Sequence, residues 1–95
     1  MNTLLIDTTS NKEIEVGLRI NSKKYAVRQK IDKRRAQVVL PLIDKILRKN
    51  NVRLSDLNEI EVNTKEGSFT GIRVGLSIAQ ALSFTLKIPL KKVLY

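Results

Sequence analysis

Three groups of residues in this chain have the types and spacing to do chemistry. Asp7, Thr8, Thr9 and Ser10 follow a short apolar run. A carboxylate beside three hydroxyls at a strand end makes either a polar site or a turn closed by its own Asx and Ser/Thr hydrogen bonds. Gly67, Ser68, Thr70 and Gly71 stand where a helix begins, so backbone amides and the helix dipole would favour an anion there. An ordinary Ser or Thr cap, with glycines permitting a sharp turn, accounts for the same residues. The third group is cationic: seven of the eighteen Lys and Arg residues fall between Lys23 and Arg35, in a chain of formal charge +9. Such a cluster attracts a polyanion, RNA above all, through its potential and through counterion release. On an outer strand Lys24, Arg28 and Lys30 would share one side, where they serve either nucleic-acid phosphates, together with Arg34 and Arg35, or protection of a sheet edge.

What is missing narrows the chemistry. With no cysteine and no histidine among 95 residues, there is no disulfide framework, thiol nucleophile, imidazole base or usual zinc ligand. No triad can be assembled, and Glu66 is the one neighbouring base for the hydroxyls of Ser68 and Thr70. The expectation is therefore no catalytic residue, no metal and no cofactor. Apolar runs reach only about four residues, so neither a membrane span nor a signal peptide is expected, and a cytoplasmic protein is the simple reading.

The elements that must position these groups are legible from hydrophobic period. Thr3 to Thr8 reads as a strand and turn, and Glu13 to Ile20 alternates with Ile14, Val16, Leu18 and Ile20 on one face. After an Asn21-Ser22 turn a further strand covers Lys23 to Lys30. Arg34 to Asn50 is helical, with Ala36, Val39, Leu40, Ile43, Ile46 and Leu47 in one arc and Pro41 inside it, where it kinks the first turns or delays the helix to Leu40. Ser55 is expected to cap a short turn, Glu59 to Thr64 to form a fourth strand, Thr70 to Leu86 a second helix, and Val93-Leu94 to start a fifth strand. The order β-β-β-α-β-α-β implies an α/β domain with a mixed sheet and right-handed crossovers.

In the second helix Gly71, Gly75 and Ala79 recur every four positions on a wide apolar arc that also holds Ile72, Leu76, Ile78, Leu82 and Leu86. Each glycine costs a helix about 1 kcal/mol relative to alanine, so a close backbone approach must compensate. The neighbour is either the lobe itself or another chain.

Asp7-Thr8-Thr9-Ser10, Leu40-Pro41-Leu42-Ile43 and above all Gly67-Ser68-Phe69-Thr70-Gly71-Ile72-Arg73-Val74-Gly75 resemble the TsaB (YeaZ) family of the actin-like ATPase superfamily. Two positions depart from that pattern: Lys65-Glu66 stands where the family usually has Gly-Pro, and Arg35 where it commonly has His. The resemblance implies one ribonuclease-H-like lobe over residues 1–95, without the family's second lobe. It implies a non-catalytic role in making threonylcarbamoyladenosine in ANN-decoding tRNAs, in partnership with a TsaD-like catalytic subunit and a TsaE-like ATPase. Asp7, Thr8, Thr9 and Ser10 would then be a vestigial phosphate loop. Leu42, Ile46, Gly71, Gly75, Ile78, Ala79 and Leu82 are the expected interface, with the catalytic subunit or with a second copy. The alternatives are a basic tRNA-binding module, or a nucleotide-binding half-enzyme active only as a dimer.

Overall fold

The computed structural model describes residues 1–31, 35–65 and 69–93. Strands β1 (Asn2–Asp7), β2 (Glu13–Ile20) and β3 (Lys23–Lys30) come first, followed by helix α1 (Arg35–Lys49) and a short 3-10 turn at Leu54–Asp56. Strand β4 (Glu59–Asn63), helix α2 (Phe69–Leu86) and strand β5 (Leu90–Val93) complete the order. The sheet runs β3-β2-β1-β4-β5, antiparallel across its first three strands and parallel from β1 through β4 to β5. Right-handed crossovers that both advance toward β5 place α1 and α2 on the same face. There α1 lies over β2 and β3, and α2 over β4, β1 and β5.

Alternation along the strands divides the sheet into two chemically different faces. Leu4, Ile6, Ile14, Val16, Leu18, Ile60 and Val62 point toward the helices and join Val39, Leu42, Ile43, Ile46, Leu47 and Ala79 in one core. The opposite face carries Glu13, Glu15 and Arg19 of β2, Lys24, Arg28 and Lys30 of β3, and Glu59 and Glu61 of β4. Arg19 reaches across β1 to grip Glu61 with two hydrogen bonds, 2.8 and 3.4 Å. Lys91 pairs with Glu59 at 3.4 Å, and Arg28 lies 3.5 Å from Glu15 and 3.9 Å from Glu13.

Both helices end on a residue in the left-handed region. Asn51 has φ 54°, and Val52 N–H returns to Leu47 O at 2.9 Å. Lys87 has φ 57°, and Ile88 N–H returns to Ser83 O at 3.2 Å. These six-to-one bonds satisfy carbonyls that the helix leaves open. Pro41 lies within α1 on its exposed side, and the helix continues through it from Arg35 to Lys49.

Three expectations are corrected. The turn at Leu54–Asp56 starts at Arg53 rather than at a Ser55 cap: Arg53 N–H donates to Asp56 Oδ2 at 2.9 Å. That bond, and then the Arg53 guanidinium, hold the exposed Asp56 carboxyl below its ordinary pKa. The fifth strand begins at Leu90, earlier than Val93, because Leu90 pairs beside Ile60. The first helix includes Gln37 to Val39, so it does not wait for Leu40.

Candidate functional site

The C-terminal ends of the neighbouring parallel strands β1 and β4 bring the Asp7 loop together with the start of α2. Asp7 Oδ1 accepts from Thr9 N–H at 3.0 Å and from the Thr9 hydroxyl at 2.7 Å. Asp7 Oδ2 accepts from Asn63 Nδ2 at 3.0 Å, and Asn63 Oδ1 in turn accepts from Lys65 N–H at 2.9 Å. Ser10 Oγ accepts from Lys12 N–H at 3.0 Å and from Glu13 N–H at 3.4 Å. The loop is thus a strand-end turn closed by Asx and Ser/Thr bonds.

Thr8 is fully buried and turns away from this loop toward α2. Its hydroxyl donates to Gly71 O and accepts from Gly75 N–H at 3.0 Å. Those two backbone groups are the pair that an α-helix joins directly, so Thr8 bridges one rung of the α2 ladder. A Cβ on Gly75 would collide with Thr8 Oγ1. The donor of the Thr8 hydroxyl is committed to the helix, which leaves Thr8 unable to donate to a phosphate. For the expected phosphate loop, that removes one of its three hydroxyls from the ligand side. Gly67 and Ser68 of the second expected anion site lie outside the described residues; Thr70 is exposed and Gly71 buried. Among the described residues no group of three His, Cys, Asp or Glu side chains gathers to hold a metal.

The close approach inferred for the second helix is therefore made inside the lobe. Leu42, Ile46, Gly71, Gly75 and Ala79, expected at a subunit interface, are all buried in the chain's own fold, which corrects that expectation for these five. Ile78 and Leu82 are half-buried and still reach the surface. The expected interface left out the residues beside them: Val74, Ala81 and Phe84 recur with Ile78 along one side of α2, and Phe84 is 85% exposed. Val74 and Ile78 line a shallow groove with Thr70, Arg73 and Ser77. On α1, Leu40 is 55% exposed and borders a second groove that reaches Leu82. The signal available was the width of the apolar arc, which exceeded what one sheet face covers.

Lys24, Arg28 and Lys30 do share the helix-free face of β3, an edge strand among the described residues. They stand beside acids rather than in an uninterrupted basic field, since Lys24, Arg28, Asp7 and Glu15 all line one depression of about 360 Å³ over Gly17. Arg34 lies outside the described residues, and α1 begins at Arg35.

A five-stranded mixed sheet with two helices on one face and loops gathered at the β1 and β4 ends defines a ribonuclease-H-like α/β lobe. The RuvC of T. thermophilus, solved with a Holliday junction substrate, shares this fold at TM-score 0.63 and 11% identity, covering 98% of this chain and 64% of its own. The family model described as "TsaD: tRNA N6-adenosine threonylcarbamoyltransferase" matches residues 26–94. The "tRNA threonylcarbamoyladenosine biosynthesis protein TsaB" of Buchnera aphidicola subsp. Baizongia pistaciae is 33% identical over 94% of this chain and 40% of its own length. YeaZ from Pseudomonas aeruginosa superposes with TM-score 0.91 at 28% identity, over 98% of this chain and 43% of its own. The chain belongs to this threonylcarbamoyltransferase family, within its TsaB (YeaZ) members, and spans about 40% of the length of the curated relatives it matches.

Proposed function

We propose that this chain serves as the first lobe of a TsaB-type, non-catalytic subunit in cytoplasmic synthesis of threonylcarbamoyladenosine in tRNA, and that it docks on a TsaD-like catalytic subunit through its helix layer. The observation that carries the reading is the apolar strip on α2 in which Ala81 and Phe84 are exposed and Val74 and Ile78, half-buried against the core, still line a surface groove, while the same helix fills its own core with Gly75 and Ala79. Burying such a strip against a partner removes apolar area from water, which a lobe this small gains from. The closed Asp7 loop and the absence of histidine and cysteine favour a supporting role over chemistry.

In this reading the lobe acts by holding its partner in a competent conformation, with a TsaE-like ATPase as a further member of the assembly. The same strip would join two copies when the partner is absent. Co-purification with a TsaD-like protein, followed by mass measurement of the complex, tests it. The expected result is a one-to-one complex that Phe84→Glu and Val74→Glu both disrupt while each variant chain stays folded by circular dichroism. A complex indifferent to both substitutions would overturn the assignment of the strip.

Direct tRNA delivery by β3 is the weaker reading, because Arg28 already faces Glu13 and Glu15. A nucleotide-binding half-enzyme is weaker still, because Thr8 spends its hydroxyl on α2.

A further inference from the structure

Thr8 sits at the junction of two parts of the molecule that the proposed function treats separately. On one side, its neighbours Asp7 and Thr9 form the closed loop, and Asp7 is tied through Asn63 to Lys65 at the end of β4. On the other, its hydroxyl holds Gly71 O and Gly75 N–H, one turn of α2 whose outer side carries Val74 and Ile78. Both contacts are buried, where an unmatched polar group is expensive and a hydrogen bond is poorly replaced by water. Gly75 has no Cβ to hold the two apart, and the volume a Cβ would need is filled by Thr8 itself. A rotation or shift of α2 thus has to carry Thr8 with it, or break a bond at both ends of one helical rung.

We propose that Thr8 is a positioning residue that couples the Asp7–Ser10 loop to the docking strip of α2, so that occupation of the strip is felt at the loop. This inference rests on the docking proposed above. The coupling is mechanical: a partner seated on Val74 and Ile78 restrains α2, α2 restrains the Thr8 hydroxyl, and the Asx turn at Asp7 loses its freedom to open. Thermodynamic reciprocity then requires that loosening the loop weaken docking by the same factor.

Amide hydrogen exchange, read on the chain alone and with a TsaD-like partner, tests this with Thr8→Ala and Thr8→Ser. In the chain alone, Thr8→Ala is expected to speed exchange at Gly75 at least tenfold, and Thr8→Ser to leave it near the wild-type rate. With partner added to wild type, slower exchange is expected both along α2 and at the Thr9 and Lys12 amides of the loop. In Thr8→Ala the partner should still slow α2 while the loop amides no longer respond. Protection of α2 with no loop response in wild type, or a loop response that survives Thr8→Ala, overturns the coupling. A partner that protects neither region in wild type overturns the docking reading itself, and an unchanged Gly75 rate in Thr8→Ala overturns the bridge independently of any partner. Should Thr8→Ala not fold, Thr8→Ala/Gly75→Ala supplies the same comparison, since the alanine Cβ then meets no hydroxyl.

Discussion

Gly75 lacks a side chain because Thr8 fills the space a Cβ would need. Helix propensity favours alanine over glycine by about 1 kcal/mol; collision with a buried hydroxyl outweighs it, since overpacking costs about 1 to 3 kcal/mol. Gly75→Ala is therefore expected to lower stability by roughly 1 kcal/mol net in urea denaturation. The double variant Thr8→Ala/Gly75→Ala should recover much of that loss, because Ile6 Cγ2 and Thr8 Cβ stand at an ordinary 3.4 Å. Simple addition of the two single losses would show that the residues do not meet in this way. Lys87 shows the opposite economy: a left-handed φ of 57° strains a residue with a Cβ. Lys87→Gly is expected to raise stability by roughly 0.5 to 1 kcal/mol, after the extra freedom of glycine in the unfolded chain is counted. An unchanged denaturation midpoint would mean that the strain is relieved elsewhere.

Among the elements, burial decides which ion pairs matter. Arg28 is 60% exposed, so its glutamates contribute little, and Arg28→Ala should change stability by no more than about 0.5 kcal/mol. Glu61 is 9% exposed and held by two bonds from Arg19, so Arg19→Ala takes both bonds from a nearly buried carboxylate and is expected to cost about 1 to 2 kcal/mol. Equal losses for the two variants would refute that ranking. The Asp56 carboxyl is lowered in pKa by the fold, so its contribution is present above the ordinary range of about 4 and lost as pH falls through the depressed value. The stability gap between wild type and Asp56→Asn should accordingly be open at pH 7 and close in strong acid. Strand bounds were the most legible part of the sequence: the clean alternation over Glu13–Ile20, and the strand expected after the Asn21-Ser22 turn over Lys23 to Lys30, match β2 and β3. Periodicity said nothing about β5, whose start is set by pairing with Ile60 on a strand thirty positions earlier. The cap at Arg53 was likewise hidden, since the acceptor is the side chain of Asp56 reaching back. The spacing of Gly71, Gly75 and Ala79 announced a close contact but not its other member, because nothing local ties Thr8 to Gly75.

For the whole molecule, the apolar strip of α2 and the paired charges of the sheet lie on opposite faces, although the helices carry charges of their own, Asp44 and Arg48 on α1 and Arg73 on α2. The helix layer presents its apolar strip, while Arg19, Lys24, Arg28 and Lys30 share the opposite sheet face with Glu13, Glu15, Glu59 and Glu61. Docking through the helices should therefore survive added salt, whereas any binding of RNA to a chain of charge +9 should collapse between about 50 and 200 mM salt. Filter binding of tRNA alongside partner association at the same two salt concentrations separates them; parallel loss of both would place the partner on the charged face. No helix among the described residues is long and apolar enough to cross a membrane.

The Thr8 to Gly75 contact joins positions 67 residues apart. A side chain on Gly75, or the loss of the hydroxyl at Thr8, upsets the other partner, so the codons for the end of β1 and for α2 are expected to drift together. Chimeras that graft either segment by itself from a relative with a different pair at these sites should inherit a mismatch, and those that carry both should not.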